Sequence, residues 1–441
     1  MSLLSAPGFS NPTEKAATFI AICYSNHSLP RGLLGTIILI CCRARLELSR
    51  RKVKIKRSRA SRLSSPVLKD RFTGIVRDLS TDGRGVIQAP DGQVVFVAGV
   101  WQGEEVEIER LRQGKSTSAE LISVLQPSDA RRAAECEYHR EGSCGGCPWM
   151  FVDYLTQLEQ KQARLSKLVE RITGKSASCA MLVASQTLGY RNRAQFKSDG
   201  VKLGYVAQGT HEIVDVTHCP VLNDVNQVHL RTLRQSLPNS EWRPNKNRQW
   251  TTIGIDDQRA TPLVNQRQAF RQGNSEQNEQ LRAWLSSRLA NLPRPNTVFE
   301  LFCGSGNLTE VIAEQVDAPV IAIEGDDMSL DALSARNLSK VKPVRVNLFS
   351  KHSIGDDMPI CQSDIGVVLD PPRDGLKERE ALKPWFTRAE WVVYVSCDLA
   401  TWERDAEFLQ SCGLDLDEAT GLDMFPQTPH IETLSVFTRR A

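Results

Sequence analysis

Long apolar runs are missing from this 441-residue chain. The best candidate, "GLLGTIILICC" (32–42), is about half of the roughly 20 residues needed to cross a bilayer, so no membrane partner is expected. A convincing secretory signal is absent too. With 12 cysteines in the chain, that points to a reducing compartment, the cytoplasm, where thiols bind metal or react. No internal repeat is apparent, so a repeat architecture is not expected. Nor is the body globally basic: residues 1–70 hold 13 Lys+Arg against 3 Asp+Glu, and the remaining 371 hold 42 against 49, a net of −7. A nucleic-acid partner would have to be gripped by local patches and by "RRKVKIKRSR" (50–59). No methionine lies between Met1 and Met150. Residues 1–65 are expected to be a basic segment without a fold, or the result of a start placed too early. The acid-poor, Ser-containing stretch 43–65 also has the character of a mitochondrial-type presequence.

What remains is the composition of a soluble globular protein, 41% hydrophobic and 24% charged, with length for two or three domains. Over about 70–126, short β-rich runs alternate with the turn signals "STDGRG", "APDG" and "WQGE", which reads as a small all-β barrel. A cysteine-rich loop (136–148) follows, then a helix-period stretch with Leu155, Leu158, Leu165, Leu168 and Ile172 near one face. Residues 188–265 read as mixed strands and turns. From about 275 onward helices and apolar strands alternate, the pattern of a doubly wound α/β sheet with ligands at the carboxyl ends of its strands. The chain is thus expected to be multidomain: 1–65 basic segment, 66–128 barrel, 129–265 central α+β region, 266–441 Rossmann-like domain.

"CEYHREGSCGGCPW" places Cys136, Cys144 and Cys147 in one Gly-rich loop, and Cys219 lies further on in "DVTHCPVL". Four thiolates suit either a structural zinc or an iron–sulfur cluster. The Cys-Pro at Cys219 and the irregular spacing favour a [4Fe–4S] cluster, with His139 and His218 as nearby substitute ligands.

"FELFCGSGNL" (299–308) is a strand running into a Gly-x-Gly turn and a helix, and Glu324 ends the next strand, placed to accept both hydroxyls of a ribose. This turn lacks the third glycine of the dinucleotide fingerprint and the GK[ST] of a phosphate loop, which disfavours NAD and ATP and leaves S-adenosylmethionine. In "VVLDPPRDGL" (367–376) two prolines take the chain rigidly out of the sheet after Asp370, whose carboxylate could bond a planar base. Arg373 is a candidate for a phosphate. In "VVYVSCDLATWERD" (392–405) Cys397 follows a run of β-formers and is either a nucleophile or a small residue closing a buried strand.

In these motifs, together with "GYRNRAQF", "FRQGN" and "DMFPQTPHIE", the chain resembles the RNA uracil-C5 methyltransferases. Within them it is similar to the bacterial 23S rRNA branch with an N-terminal TRAM domain and a [4Fe–4S] cluster. The resemblance covers about 70–440. It implies that Cys136, Cys144, Cys147 and Cys219 hold the cluster and that the barrel is a TRAM/OB-like RNA-binding domain. It further implies that Gln272, Phe302, Asn307, Glu324, Asn347 and Asp370 line the site for S-adenosylmethionine and the target base, with Cys397 as nucleophile and Glu432 as general base. The implied partner is RNA, rRNA ahead of tRNA, and the chain is expected to be a monomer. The chemistry needs these residue types, because C5 of uracil attacks a sulfonium methyl only after a thiolate adds to C6, and a base must then remove the C5 proton. The uridine must also be unstacked to be reached, and Phe270 and Phe425 are candidates to stack on it, although core packing is the commoner role for such residues. One departure stands out. The family's Ser-Cys-Asn-Pro is here Ser396-Cys397-Asp398-Leu399, and the added carboxylate either disfavours the thiolate or caps the following helix.

Overall fold

The computed structural model describes residues 68–113, 116–139, 144–207, 209–360 and 364–440. The expectations for residues 1–65 lie outside these. Three sheets organise the described residues. In the first, β1 (Leu68–Leu79), β2 (Gly85–Gln88), β3 (Val94–Val97), β4 (Glu105–Gln113) and β5 (Ser116–Gln126) pair in the order β3-β2-β1-β4-β5, all antiparallel. Its two edges curl towards each other, with Gln93 donating to the Thr117 hydroxyl at 3.2 Å. Alternation explains the curl: Val76, Ile87, Val95, Val97, Val106 and Ile108 point inward and are almost fully buried, as a one-sided sheet requires.

Helix α1 (Tyr154–Thr173) comes next, its N-terminus capped by Asp153, which accepts from the Thr156 amide. Its buried stripe is Leu158, Lys161, Leu165, Leu168 and Val169, whereas Leu155 is 71% exposed. The stripe expected from leucine spacing is therefore displaced, because a lysine occupies a core position. The Lys161 ammonium and the Asp423 carboxylate meet at 2.6 Å with both side chains 0% exposed, and the Tyr154 hydroxyl donates to the other Asp423 oxygen at 2.7 Å.

After β6 (Ala180–Leu182), a second sheet is built from β7 (Arg193–Ser198), β8 (Leu203–Val206), β9 (Ile213–Asp215), β10 (Thr251–Asp256) and β11 (Leu263–Val264) in the order β11-β10-β7-β8-β9. Helix α2 (Asp224–Gln235) lies between β9 and β10 in the chain and buries Leu230 and Leu233 in the same core.

The third sheet holds β6 and β12 (Thr297–Leu301), β13 (Val320–Glu324), β14 (Val341–Arg345), β15 (Ile365–Leu369), β16 (Ala389–Ser396), β17 (Leu414–Leu422) and β18 (Glu432–Arg439), in the order β14-β13-β12-β15-β16-β18-β17-β6. Seven of the eight strands run in one direction, and β18 enters antiparallel between β16 and β17. Helices α3 (Ser275–Leu289), α4 (Asn307–Gln315), α5 (Asp327–Ala335), α6 (Lys351–Asp357), α7 (Arg379–Phe386) and α8 (Leu399–Ser411) complete the layers. Side chains alternate between two cores: Phe299, Leu301, Val367, Leu369, Val392 and Tyr394 serve one, and Val298, Val368, Trp391, Val393 and Val395 the other. Burial on both faces is why β15 and β16 read as unbroken apolar runs. The strand order reverses between β12 and β15, which opens a crevice at their carboxyl ends, the usual place for a ligand in such a sheet. Among the described residues no helix is long and apolar enough to cross a membrane.

Candidate active site

A cavity of about 1430 Å³ opens at that reversal point. All eight residues expected on its walls are there: Gln272, Phe302, Asn307, Glu324, Asn347, Asp370, Cys397 and Glu432. At one end the β12–α4 turn leaves the sheet through Phe302 in the left-handed region, φ 64°, followed by Gly304, φ 54°. A Cβ on Gly304 would meet nothing within 4 Å, so the backbone here faces open cavity. The Glu324 carboxylate is held over this turn by three amides, Gly304 at 3.1 Å, Gly325 at 2.6 Å and Asp326 at 2.8 Å. Phe302 and Phe349 approach with ring centroids 5.5 Å apart, giving the same end an aromatic wall. Asn307 exchanges two hydrogen bonds with Asn278 of α3, at 2.8 and 3.0 Å, and the exposed Asn347 accepts from the Phe349 amide at 3.0 Å.

The other end is set by strand pairing. Ser396 ends β16 opposite Thr433 of β18, so Cys397 and Glu432, the next residues outward on each antiparallel strand, come to the cavity from adjacent backbones. Asp370 follows β15, the neighbour of β16 on its other side. The three are electrostatically coupled. Burial, then the Glu432 and Asp370 charges, push the Cys397 thiol up to about 12, with Arg373 opposing them. Burial raises Glu432 to about 8, with the Asp370 charge adding to it and Arg373 again opposing, and burial alone raises Asp370 to about 7. A water-poor wall of this kind holds its groups neutral or poised near neutrality. His430, 3.5 Å from the Arg373 guanidinium, is pushed down to about 4 by burial and by that charge.

Asp398 is an N-cap. Its carboxylate accepts from the Ala400 and Thr401 amides, both at 3.0 Å, at the start of α8, and it is the smallest of the named influences on Cys397. Asp398→Ala should cost about 1 kcal/mol of stability, read from the midpoint of urea unfolding, whereas Asp398→Asn, which keeps an acceptor, should leave the midpoint nearly unchanged.

The cluster expected from Cys136, Cys144, Cys147 and Cys219 is not borne out. Among the described residues no three His, Cys, Asp or Glu side chains are grouped so as to hold a metal ion. Instead the cysteines behave as packing groups. Cys219 is 8% exposed within the core of the second sheet, and Cys136 and Cys147 pack against that core. Burial pushes the thiols up, Cys144 to about 11, and the neighbouring cysteines add to the rise at Cys136, Cys144 and Cys147. His139 packs beside Phe151, with ring centroids 5.7 Å apart and the planes tilted by 53°.

Two relatives decide what the constellation belongs to. An RNA methyltransferase of Nitrosomonas europaea is 39% identical over 382 residues, spanning 84% of this chain and 97% of that protein. A 23S rRNA (uracil(1939)-C(5))-methyltransferase of Vibrio cholerae is 31% identical over 415 residues, spanning 78% of this chain and 91% of that protein. The chain belongs to the RNA uracil-C5 methyltransferase family. A family model described as tRNA (uracil-5-)-methyltransferase matches residues 251–440. The Pyrococcus abyssi tRNA (uracil-54, C5)-methyltransferase, solved with S-adenosyl-L-homocysteine, shares the fold, with a TM-score of 0.61 at 19% identity over 83% of this chain and 100% of that one. As a member of this family the protein is an S-adenosylmethionine-dependent enzyme that methylates C5 of a uridine in RNA.

Sequence reasoning missed one cavity residue of this uracil-C5 methyltransferase. Glu300, in the middle of β12, is 2% exposed, leaves one carboxylate oxygen without a partner, and is raised to about 8 chiefly by burial. An acid inside the apolar run "TVFELF" was the available signal. Phe425 packs into two cores while lining the cavity, with the Arg191 guanidinium 5.6 Å over its ring. Phe270 is 66% exposed, so core packing does not describe it.

Proposed function

We propose that the enzyme methylates its uridine through a covalent bond between Cys397 and C6, with Glu432 as the base that later removes the C5 proton. The observation that carries this reading is the cross-strand placement of Cys397 and Glu432 on one cavity. S-adenosylmethionine supplies the methyl group. The open backbone at Gly304 and the acceptor at Glu324 suit its adenosine half. Glu324 would take the ribose hydroxyls, Phe302 with Phe349 would flank the adenine, and Gln272, Asn307 and Asn347 would complete the binding wall. Asp370 would bond the uracil edge.

Cys397 must lose its proton before it adds to C6, and the carboxylates of Glu432 and Asp370 are the acceptors at hand. Addition moves the ring electrons towards O4 and makes C5 a carbon nucleophile. Once C5 carries the methyl, Glu432 takes the C5 proton, the C6–S bond breaks, and Cys397 leaves as thiolate. A Glu432 that titrates near neutrality is suited to accept that proton and hand it on.

Two RNA classes stand as targets. Relatives such as the Vibrio cholerae enzyme favour large-subunit rRNA, and the family model matching residues 251–440 is named for tRNA. In either case residues 66–128 would act as a TRAM-like RNA-binding unit ahead of a central region, 129–265, and a catalytic region, 266–441, in a cytoplasmic monomer. The test is Glu432→Gln. With the C5 proton in place elimination stalls, so a covalent RNA adduct should accumulate on denaturing gels and turnover should fall about a hundredfold or more. Free methylated RNA at the normal rate would assign the base elsewhere. Nucleoside mass spectrometry of rRNA and tRNA from cells lacking the gene would then separate the two targets.

A further inference from the structure

The β1–β2 turn of the first sheet reaches the catalytic mouth. Gly83 lies at φ +86°, where a Cβ would meet the Trp149 indole nitrogen at 2.8 Å and Pro429 at 3.1 Å, and the Trp149 indole N–H donates to the Gly83 carbonyl at 3.2 Å. Thr81 of the same turn shares a small cavity with Cys397, Asp398 and His430. The sheet is thereby locked against the segment that leads into Glu432.

From this turn rises a surface that packing does not explain. Arg84 lies with its guanidinium 5.2 Å from the ring centroid of Phe96, and its edge is pinned by Asp82 at 2.8 Å. Phe96 is 43% exposed and Val94, on the same outward face, 51%. Val86 stands between Phe96 and Asp78 in the pairing. The strip is thus apolar and aromatic from Val86 to Phe96, bordered by Asp78, and topped by a cation paired with Asp82. Planar guanidinium and aromatic faces are what unpaired bases stack on, and holding the arginine in place beforehand lowers the entropy lost on binding.

We propose that Arg84 and Phe96 form a stacking platform for one RNA base, that of a nucleotide flanking the methylated uridine. This rests on the methyltransferase reading above. When the target uridine leaves the stack to reach Cys397, its neighbour loses a stacking partner. Arg84, in the turn whose Thr81 shares a cavity with Cys397, and Phe96 of β3 beside it supply a replacement face for that neighbour.

The test uses a transcript that the wild-type enzyme methylates, with two versions in which the nucleotide on one side of the target is an abasic spacer. Phe96→Ala should weaken binding of the intact transcript about tenfold, leave the salt dependence of binding unchanged, and leave the KM for S-adenosylmethionine as in wild type. Arg84→Lys should not rescue, since an ammonium keeps the charge and loses the plane. One abasic transcript should bind wild type about tenfold more weakly yet bind Phe96→Ala no more weakly than the intact one does. Thermal unfolding of both variants at the wild-type temperature shows that the fold is kept. Unchanged RNA affinity in Phe96→Ala, while the enzyme still methylates, would overturn the platform alone and turn attention to a protein partner for the strip. Full rescue by Arg84→Lys with a loss of salt dependence in Arg84→Ala would replace stacking by a phosphate contact. A wild-type enzyme that methylates neither rRNA nor tRNA transcripts would sink both readings.

Discussion

Cys397→Ala should abolish methyl transfer, a loss of at least about a thousandfold, while binding of S-adenosylmethionine stays within a factor of about two. The two effects separate because the thiol and the wall proposed for the adenosine are at opposite ends of the cavity: Cys397 follows β16, and Glu324 ends β13, three strands away across β15 and β12. Alanine removes the thiol placed beside Glu432 to add to C6, and a neighbouring carboxylate is a far poorer nucleophile towards that carbon and a better leaving group from it, so its adduct would not last long enough for C5 to attack. Isothermal titration with the methyl donor and single-turnover transfer to RNA measure the two halves independently. Undiminished transfer would take Cys397 out of the mechanism. Lost binding of the methyl donor would mean that the substitution had disturbed the sheet end itself.

Lys161→Met should destabilise the fold by about 3–5 kcal/mol, the usual cost of leaving one partner of a buried ion pair alone. Asp423 would keep the Tyr154 hydroxyl as a donor, but its charge would have no counter-ion in a site with no exposure. The pair is not needed for stability as such. Lys161→Met combined with Asp423→Leu should recover most of the loss, as measured by urea unfolding of the three proteins side by side. What the pair secures is the course of the 423–431 segment. Met424, Pro426 and Gln427 are each held from outside it as well, by Asn274, Tyr190 and Gln157. If the double variant is as stable as wild type yet slower in turnover, the lost rate measures how far that grip serves Glu432. A single variant as stable as wild type would mean that the lysine reaches water.

Much of the architecture could be read from the sequence wherever a local rule agreed with the global fold. The strands around Phe299, Val367 and Val393 are apolar on both faces because helices cover both, and the first two end in Gly-x-Gly and Pro-Pro turns, which announce a ligand end. Glu324, Asp370 and Cys397 could be read from strand ends, the other five expected residues came from the family resemblance, and all eight line the cavity. Failures have a common origin in long-range structure. A lysine in the buried stripe of α1 makes sense only once Asp423, 262 residues later, is beside it. Sequence offers Glu300 only as one acid in an apolar run, because its partnerless oxygen is visible only in three dimensions. The cysteines misled for the opposite reason. The spacing of Cys136, Cys144 and Cys147 in a Gly-rich loop suggested ligands, but spacing does not report that Cys136, Cys147 and the distant Cys219 pack on the core of the second sheet. The ambiguity at Asp398 was likewise one of direction, resolved by which way the carboxylate points.

The edge strand β6 has a consequence for biosynthesis. It pairs in parallel with β17, Ala180 opposite Thr420 and Leu182 opposite Leu422, yet more than two hundred residues separate them in the chain, and the whole second sheet is made in between. A nascent chain emerging from the ribosome would expose β6 long before its partner exists, and contacts of such separation form late and slowly. A fragment containing only residues 266–441 would meet the converse difficulty, with the β17 edge bare and free to pair with a second copy. Expression of that fragment together with a separate piece ending after β6 would show whether three residues of edge are enough to keep it from aggregating.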